Sequence, residues 1–322
     1  MAMKRRVLVP SLVGLSLLVS AVAACSDSAT ILPIVVDSGT DAPVSPGVDA
    51  GNDATALPDT GPTEEERTLT FRAQVGDKAF SCAGGPWTGL GTSAASADIV
   101  DFRLYVHDVK LIAQDGTEVP FALKQDGKWQ YQNLALLDFE DKSGACANGT
   151  TETNVKLVGT AKVGTYKGVK LKLGVPFALN HADPAKAPSP LNITALFWAW
   201  NGGYKFARID ARVDVDGTPS PFLIHLGSTG CQGDPAIGET VTKCDQENRG
   251  EITLAGDPFA KPFLVDYKAL VAASDLKVNG SGPPGCMSGM DDPECPALFP
   301  KLGVDATTHL PNAAQQALFR AE

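Results

Sequence analysis

Short segments with an apolar residue at every second position recur along most of this chain, and they limit the folds open to it. The first contains Leu69, Phe71, Ala73 and Val75, and glycine, proline or Asp-Gly pairs separate it from those that follow. Such alternation is typical of β-strands, because successive side chains of a strand point to opposite faces. About ten such segments with few helical patterns predict an all-β fold. We expect an antiparallel β-sandwich with long disulfide-pinned loops and short C-terminal helices.

One strand is predicted to be unusually long. The segment 101–112, DFRLYVHDVKLI, changes its apolar parity near Tyr105, which predicts a β-bulge or burial on both faces. Helical patterns are confined to the last part of the chain, at 268–275, 296–302 and 312–320.

The N-terminus has the features of a targeting segment. Three basic residues at 4–6 precede an apolar run that ends in small residues before Cys25. This pattern predicts a lipoprotein signal peptide over 1–24, cleaved before Cys25, whose thiol is then acylated. Ser26 in the next position favours the outer membrane of a Gram-negative bacterium. The alternatives are an ordinary signal peptide cut after the Ala-Val-Ala at 21–23, or a short membrane anchor.

Residues 25–66 have the composition of a disordered acidic linker. Six aspartates and three glutamates stand against one arginine between 26 and 67, which accounts for most of the net charge of −10. The linker has few large apolar residues, so ordering it would cost more entropy than burial returns. The folded domain is therefore predicted to span 67–322. It is nearly neutral and has no basic stripe, which argues against nucleic-acid binding.

The cysteines predict three disulfides. Once Cys25 takes lipid, six remain, and an even number in an exported chain favours disulfide bonds. Short loops favour two of the pairs, and the third follows by elimination: Cys231–Cys244, Cys286–Cys295 and Cys82–Cys146. A metal-thiolate cluster is the alternative, but the chain has no C-x-x-C pair.

The segment 195–210, ALFWAWNGGYKFARID, holds two of the four tryptophans, Trp198 and Trp200. It is predicted to be one long strand, or a hairpin arm broken at Gly202 and Gly203. Residues i and i+2 of a strand share a face, so the two indoles are expected to form part of the core or the wall of a site.

Four histidines are available as functional groups, and none belongs to a local metal motif such as H-E-x-x-H. His225 interrupts the apolar strand FLIHLG, where a buried imidazole needs a partner, either a backbone carbonyl or a functional group. His181 lies in a loop before the tryptophan segment, His107 is expected to be structural, and His309 lies near the C-terminus.

A hydrolase is not favoured. The chain has no G-x-S-x-G motif. Asp138, Glu140 and Asp141 lie together at the end of a strand, where we expect them to be solvated or to cap a turn.

Several longer segments together carry a family resemblance. In order along the chain they are FRLYVHDVKL, KWQ, LALLDFED, LGVPFALNHAD, FWAWNGGYKFARID, HLGSTGC, CDQENR, GCMSG and DDPEC. From Leu69 onward the chain resembles the MbnP family, also described as the four-Cys-motif partner of a metallo-mystery pair.

The resemblance implies a copper protein that depends on a modified tryptophan. In the family, the first Trp of a W-x-W motif is oxidised to kynurenine by a diheme partner of the MauG or cytochrome c peroxidase type (MbnH), and one Cu(I) then binds. The matching residue here is Trp198, and we predict His181 and His225 as ligands. His107 is the alternative histidine ligand, and Met287 is a weak candidate for a fourth ligand. Trp200 and Tyr204 would line the site, although Tyr204 and its neighbour Phe206 are better explained as core aromatics.

This chemistry is physically reasonable. An indole N–H is a donor only, so an intact tryptophan cannot bind a metal. Opening the pyrrole ring produces an aryl amine and a ketone with usable lone pairs. One amine and two imidazoles would make a neutral, three-coordinate site that favours Cu(I). We therefore predict a non-enzymatic lipoprotein in copper homeostasis. The alternatives are a carbohydrate- or ligand-binding β-sandwich without metal, and a structural surface lipoprotein.

Overall fold

The computed structural model of the chain describes residues 63–198 and 202–322. The predicted signal peptide, the lipidated Cys25, nearly all of the linker and Trp200 lie outside the described residues. Within the described part, no helix is long and apolar enough to cross a membrane.

Strands make up most of the described chain, as the alternating pattern predicts. They are β1 (Glu64–Val75), β2 (Lys78–Ala79), β3 (Trp87–Leu90), β4 (Ala95–Ala113), β5 (Glu118–Pro120), β6 (Ala122–Leu123), β7 (Gln130–Tyr131), β8 (Leu134–Asp138), β9 (Lys156–Lys162), β10 (Tyr166–Leu173), β11 (Phe197–Trp198), β12 (Gly203–Tyr204), β13 (Ala207–Val215), β14 (Thr218–Leu226), β15 (Thr229–Gln232), β16 (Lys243–Gln246), β17 (Gly250–Ala255), β18 (Phe263–Asp266), β19 (Gly285–Cys286) and β20 (Phe319–Arg320). The helices are short: α1 (Phe177–Asn180), α2 (Tyr267–Leu270), α3 (Cys295–Leu298), and 3₁₀ turns at Thr194–Leu196, Pro235–Ile237, Phe299–Leu302 and Ala313–Gln315.

Most strands belong to two sheets that form an all-β sandwich, which confirms the predicted fold class. The larger sheet has the order β17-β10-β4-β13-β14-β19, with β3, β5 and β8 paired to β4 and β7 paired to β8. The smaller has the order β20-β18-β1-β9-β6, with β2 paired to β1. The pairs β1–β18 and β14–β19 are parallel, and the other pairs in the two sheets are antiparallel. Two separate ribbons, β11–β12 and β15–β16, complete the set.

Strand β4 is the centre of the larger sheet. Residues 101–107 are all buried, and the register against β10 shifts between Lys170 and Lys172. Asp108 has φ +51°, a conformation typical of a bulge. Both explanations for the change of parity near Tyr105 are therefore correct.

Aromatic side chains of the smaller sheet pack against one another in the core. Phe71 of β1 lies 5.9 Å from Phe263 and 6.2 Å from Phe319, measured between ring centroids. Aromatic pairs at such distances contribute about 0.5–1.5 kcal/mol beyond the burial of their area. These three rings come from adjacent strands of the smaller sheet, so they hold β1, β18 and β20 together.

The three predicted disulfides are present: Cys82–Cys146, Cys231–Cys244 and Cys286–Cys295. The first and third are buried. The second joins directly opposite residues of β15 and β16 and is half-buried. A native disulfide typically contributes about 2–5 kcal/mol in a domain of this type.

Two boundaries differ from the prediction. β1 begins at Glu64, inside the segment predicted as linker, because Glu64–Glu66 pair with β9 from Lys162 to Thr160. The segment 312–320 is predicted to be helical, but it contains only one 3₁₀ turn and then β20. Its apolar residue Phe319 is buried where β20 pairs with β18, and this pairing outweighs the local helical pattern.

Candidate functional site

The tryptophan segment is a ribbon rather than one strand. A 3₁₀ turn at Thr194–Leu196 precedes β11, and β11 pairs with β12 so that Trp198 lies opposite Gly203. Gly202 has φ +61°, and its N–H donates to the Trp198 carbonyl at 2.9 Å. This tight turn needs the conformational freedom of glycine, which explains why the chain reverses before β13 begins.

Trp198 is almost fully buried, with 3% of its surface exposed. Its indole packs directly on the backbone of Gly227. A Cβ added at Gly227 would lie 2.5 Å from Cζ3 of Trp198 and 2.8 Å from the Tyr204 carbonyl oxygen. Position 227 therefore accommodates the Trp198 ring only because it has no side chain.

His225 lies at the end of β14, beside the Trp198 ring. The two ring centroids are 6.5 Å apart, and His225 is 8% exposed. Its Nε2 lies 2.8 Å from Oδ1 of Asp210, so its buried partner is a carboxylate and not the backbone carbonyl considered above. An ionised carboxylate only accepts hydrogen bonds, so Nε2 carries a proton, and it is Nδ1 that has the lone pair in the neutral imidazole. This is the arrangement of a metal-binding histidine, in which one nitrogen is held by an oxygen.

Asp210 is the centre of a buried charge network. Burial alone would raise the pKa of Asp210, but the hydrogen bond from His225 and the charge of Arg208 outweigh it and keep this pKa below its usual value. Arg208 Nε donates to Asp210 Oδ2 at 2.8 Å and lies 3.1 Å from Asp101 Oδ2. Arg103 in turn donates two hydrogen bonds to Asp101, at 2.8 and 2.5 Å. The carboxylate that orients His225 is thus itself held on its other side.

His181 directly follows α1 and is half-buried. Its Nδ1 lies 2.7 Å from the Gly202 carbonyl oxygen, so Nδ1 donates and Nε2 keeps a lone pair. That Nε2 lies 3.2 Å from Nδ2 of Asn180 and 3.5 Å from Sγ of Cys244. Burial lowers the pKa of His181, against the effect of its bond to Gly202, and nearby Arg249 lowers it further. The imidazole is therefore held in its neutral form.

His181 covers the ribbon face from which Trp198 projects. A Cβ added at Gly203 would lie 3.4 Å from Cε1 of His181. Directly opposite residues of an antiparallel pair project to the same side, and Trp198 is opposite Gly203. Trp198 thus has His225 beside its ring, and His181 lies against the residue opposite Trp198 in the ribbon.

Loops that are far apart in the sequence meet behind Gly227. Ser288 Oγ donates to the His225 carbonyl at 2.9 Å and accepts from the Gly227 N–H at 3.0 Å. Asn248 Nδ2 donates to the Gly227 carbonyl at 2.9 Å. Three of the segments that carry the family resemblance, HLGSTGC, CDQENR and GCMSG, therefore converge on the wall behind Trp198.

Sequence reasoning missed Asp210, Asn248 and Ser288. Asp210 had no distinguishing signal, since it belongs to the regular alternation of charged and apolar residues in β13. Asn248 and Ser288 had none, because polar loop residues have many possible roles.

Some predicted site residues lie elsewhere. His107 is buried in β4, its Nδ1 is 3.3 Å from Asp108, and burial lowers its pKa. His309 contacts Asn248, part of the wall behind Trp198: its Nδ1 lies 2.9 Å from Asn248 Oδ1. Met287 lines a surface pocket of about 460 Å³ together with Met290 and Asp292. Among the described contacts, none joins His107, His309 or Met287 to Trp198.

Tyr204 and Phe206 are completely buried in the core. The Tyr204 ring lies 5.0 Å from Phe197 and 5.9 Å from Tyr105. Tyr204 also supports His181 indirectly, because its N–H donates to Asn180 Oδ1 at 3.0 Å. Both residues therefore pack as core aromatics.

The acidic residues at the end of β8 are not solvated as expected. Asp138 and Glu140 are 2% and 0% exposed, and Glu140 Oε1 lies 3.9 Å from Arg103 Nε. Burial raises the pKa of Asp138 to about 8 and also raises that of Glu140. The other expectation, that they cap a turn, is confirmed. Each accepts the N–H two residues further on: Asp138 from Glu140 at 3.1 Å, Glu140 from Lys142 at 3.2 Å and Asp141 from Ser143 at 3.0 Å.

The fold and these contacts define a class of disulfide-bonded β-sandwich proteins that hold a buried tryptophan against a carboxylate-bound histidine. A sequence model of the MbnP family matches residues 64–288. The solved structure of MbnP from Methylosinus trichosporium is similar to the chain, with a TM-score of 0.68 and 31% identity, covering 80% of this chain and 97% of that one. The chain therefore belongs to the MbnP family. No protein with a curated description matches it.

Proposed function

We propose that this protein binds one copper ion, as Cu(I), through a kynurenine formed from Trp198 together with His181 and His225, in the service of copper homeostasis. The observation that carries the proposal is the buried Trp198 ring, 6.5 Å from His225 and on the ribbon face that His181 covers. Membership of the MbnP family supports the coarser part, a related metal-binding protein that is not itself an enzyme.

Trp198 must change chemically before it can contribute a ligand. Two oxygen atoms enter across the C2–C3 bond of the indole and the bond breaks. Hydrolysis then releases C2 as formate and leaves an aryl amine and a ketone. The oxidant is two equivalents of peroxide, each reduced to water by a diheme partner enzyme of the MauG type (MbnH-type), which together balance the two oxygen atoms gained. This part of the proposal rests on the family. Since Trp198 is 3% exposed, we expect electron transfer through intervening side chains rather than contact with a haem.

The two histidines are already in a form that suits a metal. Each has one ring nitrogen held by an oxygen, which leaves Nδ1 of His225 and Nε2 of His181 with lone pairs. Copper would replace the contact between Asn180 and Nε2 of His181. Trp198 and His225 are buried, His181 is half-buried, and neutral nitrogen donors at such a site would favour Cu(I).

The burial of Trp198 also disfavours the carbohydrate-binding alternative. A ring that stacks on a sugar must present an open face, and Trp198 is 3% exposed and packed on Gly227.

The direct test combines a mass and a metal measurement. After co-expression with the diheme partner, we expect the Trp198 peptide to gain two oxygen atoms and lose one carbonyl unit, and the protein to bind one copper. Trp198→Phe should keep its fold and lose copper, whereas Trp129→Phe, at a partly buried position against the core, should lose nothing. Full copper loading of a protein with an unmodified Trp198 would refute the proposal.

We also propose that the protein is an outer-membrane lipoprotein anchored through Cys25. The basic and apolar N-terminal pattern supports this, and the acidic linker would hold the domain away from the membrane. Metabolic labelling with a radioactive fatty acid should mark the protein and leave Cys25→Ser unlabelled. Equal labelling of both would disprove the anchor.

A further inference from the structure

A second group of metal-binding atoms lies beside the tryptophan ribbon. We propose that Cys231, Cys244 and His181 form a site for a soft d¹⁰ metal ion once the disulfide between the two cysteines is reduced. The site does not need Trp198, so it goes beyond the function proposed above.

The three ligand atoms are already close together. Sγ of Cys231, Sγ of Cys244 and a ring nitrogen of His181 all lie within 4.8 Å of one another. Nε2 of His181 lies 3.5 Å from Sγ of Cys244, and this is the nitrogen whose lone pair is left over when Nδ1 binds Gly202. Two thiolates and one imidazole are a donor set that soft ions prefer, with one coordination position open.

The ribbon that carries the cysteines has other bonds to hold it together after reduction. Cys231 and Cys244 are directly opposite each other in β15–β16. Thr229 Oγ1 lies 3.0 Å from Gln246 Oε1 on the same ribbon and 3.0 Å from the Ser288 carbonyl oxygen, and its single proton is donated to one of these two acceptors. These bonds do not involve sulfur, so the two thiols would stay opposite each other and the ordering cost of metal binding would be small.

This disulfide is the accessible one of the three. Cys231 and Cys244 are half-buried, whereas the cysteines of the other two bridges are 1–3% exposed. An external dithiol would therefore reduce this pair first. The S–S bond breaks and two thiols form, while the dithiol becomes a disulfide, and the metal then displaces the thiol protons.

The experiment uses Cd(II) as the probe and the Trp198→Phe variant, in which the proposed copper site cannot form. The protein is treated briefly with a phosphine reductant, which is then removed, and alkylation with mass spectrometry shows which cysteines are free. We expect the Cys231–Cys244 pair alone to be reduced. Cd(II) should then bind with one equivalent per chain and give a thiolate-to-cadmium absorption band, and the oxidised protein should give none.

Two further variants locate the metal. The double variant Cys231→Ser/Cys244→Ser should abolish the band. His181→Ala, which leaves all three disulfides intact, should weaken Cd(II) binding about 10-fold or more.

The proposal is overturned by a band that persists in the double serine variant, since the metal would then lie at Cys286, Cys295 and Asp292. Absence of a band after proven reduction of the pair would also overturn it, as would earlier reduction of a different disulfide. Cadmium binding by Trp198→Phe supports this site whatever happens to the kynurenine proposal, so the two can fail separately.

Discussion

At the scale of single residues, Asp210 has the largest predicted effect on the proposed copper site without being a ligand. Its Oδ1 accepts a hydrogen bond from Nε2 of His225 at 2.8 Å, and its Oδ2 accepts one from Arg208. The imidazole can present Nδ1 to a metal only while Nε2 carries the proton. Asp210 therefore acts as a positioning residue.

We expect Asp210→Asn to weaken Cu(I) binding by about 10–100-fold, because an amide can donate to Nε2 and move the proton to Nδ1. Kynurenine formation at Trp198 should be unaffected, which a peptide mass would show. A Cu(I) competition titration measures the affinity. Asp214→Asn, at an exposed position of the same strand, is the control. Equal affinities in the two variants would rule out the positioning role.

At the scale of elements, the site depends on a close approach of two backbones. The β11–β12 ribbon lies on the loop after β14 at Gly227, where Trp198 and the Tyr204 carbonyl leave no room for a Cβ. The ribbon and the loop are consecutive parts of the chain joined by β13 and β14, so they are held together by the register of that pair.

We expect Gly227→Ala to destabilise the protein by about 1–3 kcal/mol through overpacking, since a backbone oxygen is among the atoms in the way. It should also reduce copper loading by displacing the Trp198 ring. Urea unfolding measures the first effect and metal analysis the second. Gly164→Ala, whose added Cβ would have no neighbour nearer than 3.9 Å, should stay within about 0.5 kcal/mol of the parent. A Gly227→Ala protein as stable as the Gly164→Ala control would show that the ring can move freely.

The same scale shows why the sequence left two descriptions of the tryptophan segment open, one long strand or a hairpin arm broken at Gly202 and Gly203, of which the structure has the second. Its alternation of apolar residues, from Leu196 to Trp200, is a local pattern, and local patterns do not show where a chain reverses. Gly202 and Gly203 did indicate a break. Their actual role, a left-handed turn that brings Trp198 opposite Gly203, depends on pairing that only the folded chain displays.

At the scale of the whole molecule, buried charge makes stability depend on pH. Asp138 is 2% exposed, and its pKa of about 8 results chiefly from burial, with Glu140 and Asp101 adding to the increase against Arg103. The folded state thus holds a proton that the unfolded state releases at about pH 4. The stability that this group contributes is complete below about pH 4 and is lost as the pH rises through 8.

We therefore expect the free energy of unfolding to fall between about pH 5 and pH 8, with at most about 1.4 kcal/mol per pH unit from Asp138. Asp138→Asn keeps a neutral side chain at every pH, so it should flatten this dependence and be more stable than the parent at about pH 8. Urea unfolding at several pH values is the measurement. An unchanged slope in Asp138→Asn would show that Asp138 ionises normally in the folded protein.

Much of this protein was predictable because the signals are local. Alternation predicts strands because successive side chains of a strand point to opposite faces, one buried and one exposed. The number of predicted strands then indicated the all-β sandwich. Short loops predicted two disulfides and left Cys82–Cys146 as the third, which is the pairing observed. The W-x-W segment, through its resemblance to the MbnP family, singled out Trp198.

Periodicity and loop length in the sequence predict the class of fold and favour the cysteine pairs, and the resemblance to the MbnP family singles out the residues able to carry the chemistry. The tertiary structure alone decides how those residues are used. It places Asp210 on His225, removes the space for a side chain at Gly227, and brings Ser288 and Asn248 behind the indole from segments 40 residues apart. The physical reason is that a hydrogen bond or a packing contact depends on distance in space, and no local periodicity records which distant segments will meet.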